Sequence, residues 1–290
     1  MTQVIAKETA QQLLKGITVP PQPQIMVDLH MEMAMPDICM DTIMLIIAKD
    51  VGLSGSILKV VNSPFFGLRN RITSIQQALS LLGITNITNI VNSLSIRSSL
   101  TDRSIIEMTH FWDNAIDVAM ACAAISRLTG VSLADEAYTL GLFHNAGIPL
   151  LIGKFDHYSS VIKKAYAEPK RRITDIENDQ IDCNHAVIGY FVAKAWKLPV
   201  YICEAIADHH KTEDIFADTV QCDKQKKNLL AILKLAEVTC NTYKTLGNAK
   251  KDYEFERIKS NLLIYIGLSE YDFEDLQAEL IDMGLNHNEV

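Results

Sequence analysis

Hydrophobic residues recur along most of this chain at spacings of three and four, the period of an amphipathic α-helix, and no stretch alternates as a β-strand does. Ser74 followed by apolar residues up to Leu82 predicts a capped helix that stops at Gly83. A longer apolar pattern predicts a helix from about Ile105 to Leu128, closed by Gly130. The chain is therefore predicted to be all-α.

The second half continues the helical pattern. A Ser132–Asp135 capping box predicts the start of a helix that runs through Leu140 and His144. Asp182 or Asn184 is predicted to cap a helix over Ala186–Trp196, and Ser269 to cap the acidic helix Tyr271–Met283. Two more apolar helices are predicted between them, Val200–His210 and Asn228–Tyr243. The proline-rich Val19–Pro23 breaks the first helix. The charged, weakly patterned Glu168–Cys183 is predicted to be a surface connection.

Length and composition indicate a large core. The chain has 290 residues, 48% of them hydrophobic, enough for one domain or two closely packed subdomains. Its 27 basic and 35 acidic residues give a net charge of −8, so no global field attracts nucleic acid or anionic lipid. We expect no membrane span, because the apolar run at 42–48 is too short. The six scattered cysteines and the lack of a signal peptide favour a cytoplasmic protein.

Two blocks of sequence carry a family resemblance. The first contains Val61-Asn62-Ser63-Pro64-Phe65 and then Ile72-Thr73-Ser74-Ile75 up to Leu82-Gly83. The second contains Phe111-Trp112, Gly141-Leu142-Phe143-His144, Trp196-Lys197-Leu198-Pro199 and His209-His210. In this order, across roughly 17–243, they resemble the HDOD domain of bacterial signalling proteins. The resemblance implies an HD-domain-like helical bundle with an N-terminal helical subdomain packed on it, divided as residues 1–104 and 105–290.

The HDOD fold is related to that of the HD-GYP phosphodiesterases, which hydrolyse cyclic di-GMP at a site of two or three metals. The resemblance implies where the ligand positions of such a site fall. The His-Asp doublet falls on His144 and Asn145, and the last aspartate falls on Glu237. The single histidine and the histidine pair fall on His185 and on His209 and His210. Asn114 stands where the first helix of such a site supplies a histidine. The Gly-Tyr-Pro element that follows the histidine pair in those enzymes is absent.

The chemistry of these residue types argues against a binuclear centre. Two metal ions need an anionic group between them, and Asn145 is neutral. The remaining histidines and Glu237 form a remnant site, and either its side chains only hydrogen-bond one another or they hold one divalent transition metal, Zn, Fe, Ni or Mn. The hydrogen-bonded alternative is favoured, so no cofactor is expected. Adjacent His209 and His210 point about 100° apart on a helix and share one ion only near a helix end.

The remaining candidates are predicted to be structural. His30, His110, His157 and His287 lack ligand-like spacing, and Asn62-Ser63-Pro64 is interpreted as a turn. The methionines between Met26 and Met44 are interpreted as core, with an adaptable contact surface as the alternative.

Three functions stay open at this point. The first is a non-enzymatic signalling module that acts through protein partners in trans, since no receiver or output domain is visible. The second is a metal-dependent phosphohydrolase on a nucleotide or phosphodiester. The third is a binding module whose degenerate site retains a nucleotide second messenger without cleaving it. The loss of metal ligands at Asn114 and Asn145 favours the first.

Overall fold

The computed structural model describes residues 16–66, 68–100 and 105–285, and all regular structure within these ranges is helical. The α-helices are α1 (Gln24–Met33), α2 (Met40–Ala48), α3 (Val51–Val61), α4 (Ile75–Leu100), α5 (Ile105–Thr129), α6 (Ala134–Phe143), α7 (Gly147–Lys154), α8 (Tyr158–Ala167), α9 (Ile173–Ile181), α10 (His185–Ala195), α11 (Val200–Asp208), α12 (Thr212–Phe216), α13 (Lys224–Thr239), α14 (Thr242–Gly247), α15 (Tyr253–Ile266) and α16 (Glu270–Asp282). The all-α prediction is confirmed. His287 and the helix expected before Val19 lie outside the described residues.

Local signals in the sequence place several helix ends correctly. Gly83 takes a left-handed conformation, with a φ of 79°, and breaks α4 where a helix end was predicted. Asn184 caps α10 by accepting a hydrogen bond from the backbone N–H of Val187 at 3.0 Å. Ser269 forms a full capping box with Asp272 at the start of α16. Each of these signals acts within four residues, which is why it can be recognised from sequence.

Three local predictions are wrong. The helix predicted over Asn228–Tyr243 is two helices, because Asn241 takes a left-handed φ of 52° between α13 and α14. The Ser132–Asp135 capping box does not form: α6 begins at Ala134, Leu133 is its N-cap residue, and no side chain caps it. The Asp135 carboxylate instead accepts a hydrogen bond from Asn89 on α4 at 3.4 Å. The segment Glu168–Cys183 is not a mere surface connection, because it contains α9, whose residues Ile173, Ile176 and Glu177 are buried.

The buried hydrophobic residues form two clusters. One lies among α1 to α4 and includes Leu29, Ile43 and Ile57. The other lies mainly among α5 to α16, includes Trp112 and Trp196, and also takes in Met26 of α1. Helix α4 joins them because, after its break, Ile87 and Val91 belong to the first cluster while Ile96 and Leu100 belong to the second. The expected division at residues 104 and 105 stays a prediction.

Within the described residues, α4 is the one helix long and apolar enough to cross a membrane, with a mean hydropathy of 1.3 over its best window. That window is 44% buried inside the protein. The helix is also broken at Gly83 and contributes to both hydrophobic clusters. Its apolar character is therefore used in internal packing.

Candidate functional site

Four histidines predicted as ligands meet in the interior of the second cluster. His144 directly follows α6, His185 is the first residue of α10, and His209 and His210 directly follow α11. All four are at most 2% exposed. Because the adjacent pair lies just beyond the last residue of a helix, its two rings meet the geometric condition for reaching a common point.

Three of the four rings turn the same nitrogen toward one another. The Nε2 atom of His185 lies 3.2 Å from Nε2 of His209 and 3.0 Å from Nε2 of His210. Ligand atoms of all three lie within 4.8 Å of one another. Such close approach of imidazole nitrogens in a dry interior needs a partner that they share, either a proton or a cation.

The opposite nitrogen of each ring is held by an acceptor. Nδ1 of His185 lies 2.7 Å from the Glu177 carboxylate, and Nδ1 of His210 lies 2.7 Å from the Glu254 carboxylate. Nδ1 of His209 lies 2.6 Å from the carbonyl oxygen of Ile206. Each Nδ1 must therefore carry a proton and donate it, which leaves the Nε2 lone pair free in a neutral ring.

Glu177 and Glu254 are the residues that sequence reasoning missed. Glu177 lies on α9, fully buried, and also accepts a hydrogen bond from the hydroxyl of Tyr158. The signal for it was the apolar spacing of Ile173 and Ile176, which places Glu177 on the inward face of a helix. Glu254 is the second residue of α15, and its position four residues before the buried Ile258 is a similar signal.

His144 forms a second part of the site with two predicted neighbours. Its Nδ1 lies 2.6 Å from the carbonyl oxygen of Gly141, and its Nε2 lies 2.7 Å from the amide nitrogen of Asn145 and 3.3 Å from Oε1 of Glu237. Asn145 Oδ1 is buried and accepts no hydrogen bond within the described chain. With its proton on Nδ1, His144 accepts the hydrogen bond of the Asn145 amide at Nε2, and the Glu237 carboxylate lies beside that nitrogen.

The buried charges around the histidines are unequal. Lys234 lies 2.8 Å from Glu237 and 2.9 Å from Glu254, and Glu177 is a third carboxylate without an ammonium partner in the described structure. Burial alone would lower the pKa of Lys234, but the two carboxylates outweigh it and raise that pKa. Burial would likewise raise the pKa of Glu237, yet Lys234 and His144 hold it well below its usual range. Among these four side chains the carboxylates outnumber the ammonium by two, and nearby Asp252, whose pKa burial raises to about 6, is a further acidic group.

The histidines do not offset the excess negative charge of these carboxylates, because the imidazole rings are neutral. Burial lowers the pKa of His209 well below its ordinary value, and neighbouring His210 and His185 lower it further. Burial also lowers the pKa of His210, with Lys234 adding to the effect. The interior therefore favours uncharged imidazoles beside excess carboxylate, which suits a divalent cation.

The donor set also fits such an ion by distance. A nitrogen ligand lies about 2.0–2.1 Å from zinc, so two ligands at tetrahedral or octahedral angles are about 2.9–3.4 Å apart. The separations of 3.0 and 3.2 Å from His185 Nε2 fall in this range. Outer carboxylates that hold the Nδ1 protons are the usual supports of metal-binding histidines.

Asn114 is not brought into this group. Its amide nitrogen donates to the carbonyl oxygen of Cys240 at 2.9 Å, and its amide oxygen accepts from the hydroxyl of Thr242 at 3.1 Å. It ties α5 to the turn between α13 and α14. Where the resemblance implies a histidine ligand, this chain has a structural amide.

The residues interpreted from sequence as structural lie outside the histidine cluster. His30, His110 and His157 are exposed. Asn62 bridges its turn by bonding both the N–H and the carbonyl oxygen of Ile72, at 2.7 and 2.8 Å. Met26 is core, as interpreted, but the core interpretation is wrong for Met31 and Met35, which are 66% and 57% exposed.

This helical fold with its interior histidines defines an all-α protein of the HD-like class. A family model for the HDOD domain matches residues 19–212. That match covers more than half of the chain, and the chain belongs to the HDOD family.

The proteins similar to this chain have low sequence identity to it. An uncharacterized protein of Treponema pallidum (strain Nichols) is 27% identical over 195 residues, which are 66% of this chain but only 37% of that relative. An HDOD domain protein of unknown function from Geobacter sulfurreducens has a TM-score of 0.71 at 22% identity, over 94% of this chain and 92% of its own. A protein of Shewanella amazonensis SB2B, provisionally named a phosphohydrolase, has a TM-score of 0.69 at 19% identity, over 95% of each chain. These structures support the fold alone.

Proposed function

We propose that this protein is a non-enzymatic signalling module of the HDOD family whose histidine cluster holds one divalent transition metal as a structural element. The observation that carries the proposal is the convergence of the three Nε2 atoms of His185, His209 and His210. It reverses the preference of the sequence for an ion-free remnant, because neutral rings with bare lone pairs 3.0–3.2 Å apart repel one another unless something lies between them.

Three residues would hold the ion, and two carboxylates would orient them. His185, His209 and His210 would supply neutral nitrogen ligands, the set that zinc, iron and nickel accept. Glu177 and Glu254 would keep the Nδ1 protons in place and supply compensating charge. The bound ion would link the start of α10 to the end of α11 and so stabilise the second hydrophobic cluster.

Two features oppose hydrolysis at this site. Asn145 stands where a bridging carboxylate is needed, and its neutral amide cannot screen two adjacent cations. The histidines are also almost completely buried, so a phosphoester would have no approach to the ion without local opening. A catalytic metal site keeps one position open for water or substrate.

Regulation would then pass through protein partners in the cytoplasm. The exposed Met31, Met35 and Met40 give the N-terminal helices a flexible apolar surface of the kind that adapts to partners. Acidic Glu32 and Asp37 lie between them in sequence, so a basic partner surface would be complementary. Replacement of Met35 by glutamate should abolish capture of such a partner without lowering thermal stability.

The metal and the absence of hydrolysis are tested on the same preparations. Elemental analysis should find about one transition metal per chain in the wild type and in His157→Ala, whose exposed ring is the matched control, and almost none in His185→Ala. Hydrolysis of bis(p-nitrophenyl) phosphate should stay at background in all three. Metal-dependent hydrolysis that disappears in His144→Ala would overturn the non-enzymatic assignment. Equal metal content in the wild type and His185→Ala would overturn the metal site.

A further inference from the structure

A cleft of about 960 Å³ lies between the N-terminal helices and α5, away from the histidines. Helices α3, α4 and α5 supply most of its lining, and Ile25 of α1 and Leu285 after α16 add to it. The lining residues of the three main helices include Ser56, Lys59, Val60 and Ser63 on and after α3, Ser95, Ser98 and Ser99 on α4, and Asp113, Ile116, Asp117 and Met120 on α5. Spacings of three and four residues put each set on a single side of its helix.

The size and walls of this cleft suit a small organic molecule. Binding sites for such molecules commonly enclose about 300–1,000 Å³ and are mostly apolar with a few polar groups. Here Leu53, Phe65, Leu94 and Met120 supply apolar surface. An aliphatic or aromatic body could be buried against them.

The acidic groups that face the cleft already have partners. The Asp50 carboxylate accepts from the backbone N–H of Leu53 at 2.9 Å, and Asp113 pairs with Arg97 at 3.3 Å. Asp117 is buried, and burial followed by repulsion from Asp113 raises its pKa to about 7. The ion pair with Arg97 therefore offsets the charge of Asp113, and the raised pKa leaves Asp117 partly protonated near pH 7, while Asp50 keeps its negative charge.

The donor groups, in contrast, are unmatched within the described residues. Lys59 forms no ion pair there, and the hydroxyl of Ser63 is buried without a hydrogen-bond partner. The hydroxyls of Ser95, Ser98 and Ser99 line the same cleft. An ammonium and several hydroxyl donors around one cavity are the groups that bind a phosphate or carboxylate.

We propose that this cleft binds a small organic anion. Its phosphate or carboxylate group would meet Lys59 and the serine hydroxyls, and its apolar body would lie against Phe65 and Met120. The cleft shares no residue with the histidine cluster, so this site could exist whether or not the cluster holds a metal.

The test is calorimetric titration of the full chain with two kinds of probe. Adenosine and guanosine monophosphate represent phosphates with an aromatic body, and decanoate represents a carboxylate with an aliphatic body. We expect saturable one-to-one binding of one kind, with the dissociation constant at least about 10-fold weaker in Lys59→Glu, since a charge-assisted hydrogen bond contributes that much. Lys163→Glu, an exposed lysine on α8, should bind as the wild type does.

The two probes separate the sources of the anionic group. Binding of the nucleotides alone identifies a phosphate ligand, and binding of decanoate alone identifies a carboxylate ligand. The proposal is overturned if neither kind saturates at millimolar concentration. It is also overturned if Lys59→Glu leaves binding unchanged, or if both lysine variants weaken it equally. Lys59 and Lys163 are both exposed, so neither substitution threatens the fold.

Discussion

Gly147 is the position where one methyl group should most directly disturb the histidine site. It is the first residue of α7, three residues after His144, and it packs against the backbone of α10. A Cβ atom added there would lie 2.1 Å from the carbonyl oxygen of His185 and 2.9 Å from the backbone nitrogen of Gly189. Both obstructing atoms belong to the main chain and cannot rotate away.

The expected cost follows from that geometry. Carbon and oxygen in contact normally stay more than about 3 Å apart, so α7 and α10 must separate by roughly 1 Å in Gly147→Ala. Overpacking of this kind costs about 1–3 kcal/mol, and the rigid backbone obstacle places the cost near 3 kcal/mol. This exceeds the roughly 0.5–1 kcal/mol that alanine gains over glycine in a helix. The separation would also displace His185 from His144.

Gly153, on the same helix, is the matched control, because a Cβ atom there would meet nothing within 4 Å. In urea unfolding followed by circular dichroism, Gly153→Ala should gain about 0.5–1 kcal/mol, while Gly147→Ala should show a net loss of about 2 kcal/mol, the overpacking cost less the same helix-propensity gain. The melting temperature of Gly147→Ala should fall by roughly 4–8 °C. If both variants were equally stable, the close packing of α7 on α10 would be refuted.

Three further outcomes are expected. In the folded state the pKa of Asp117 is raised from 3.8 to about 7. The stability that protonated Asp117 contributes is therefore complete below about pH 4 and is lost as pH rises through 7. Wild type should therefore lose roughly 2–3 kcal/mol relative to Asp117→Asn between pH 5 and pH 8 in urea titrations. Chelation of the metal should lower stability by about 3–4 kcal/mol when free metal had exceeded its Kd by 100- to 1,000-fold, with no such effect in His185→Ala. Ser269→Ala should cost about 1 kcal/mol in the same unfolding assay, because α16 loses its capping box.

Each of these outcomes has its own check. A stability difference between wild type and Asp117→Asn that does not change with pH would contradict the raised pKa. Equal destabilisation of wild type and His185→Ala by the chelator would show that metal stabilises the chain elsewhere. Ser260, exposed within α15, is the control for the cap: Ser260→Ala should be neutral. A cost at position 260 as large as at 269 would refute the capping argument.

The candidate site was predicted from sequence only in part. His144, His185, His209 and His210 were all identified through the resemblance, and the structure brings them together. Asn114 was identified in the same way but is used elsewhere, bonded to Cys240 and Thr242. A residue's place in a family pattern specifies its position on a helix, and the neighbouring helices then decide what its side chain meets.

The sequence by itself determined the features that depend on contacts between residues close together in the chain. The helical period, the stop at Gly83 and the caps at Asn184 and Ser269 depend on contacts within a single turn, so the residues that make them are adjacent in the chain. The all-α class follows from these local signals.

Only the tertiary structure decided the charge and orientation of the histidine cluster. Glu177 and Glu254 are eight and 44 residues from the histidines that they hold, in segments whose polar composition is typical of a protein surface. Helix packing buries both carboxylates and aims them at Nδ1 of His185 and His210. Burial is a property of the assembled helices, and it converts ordinary surface residue types into groups that fix which nitrogen of each ring is free.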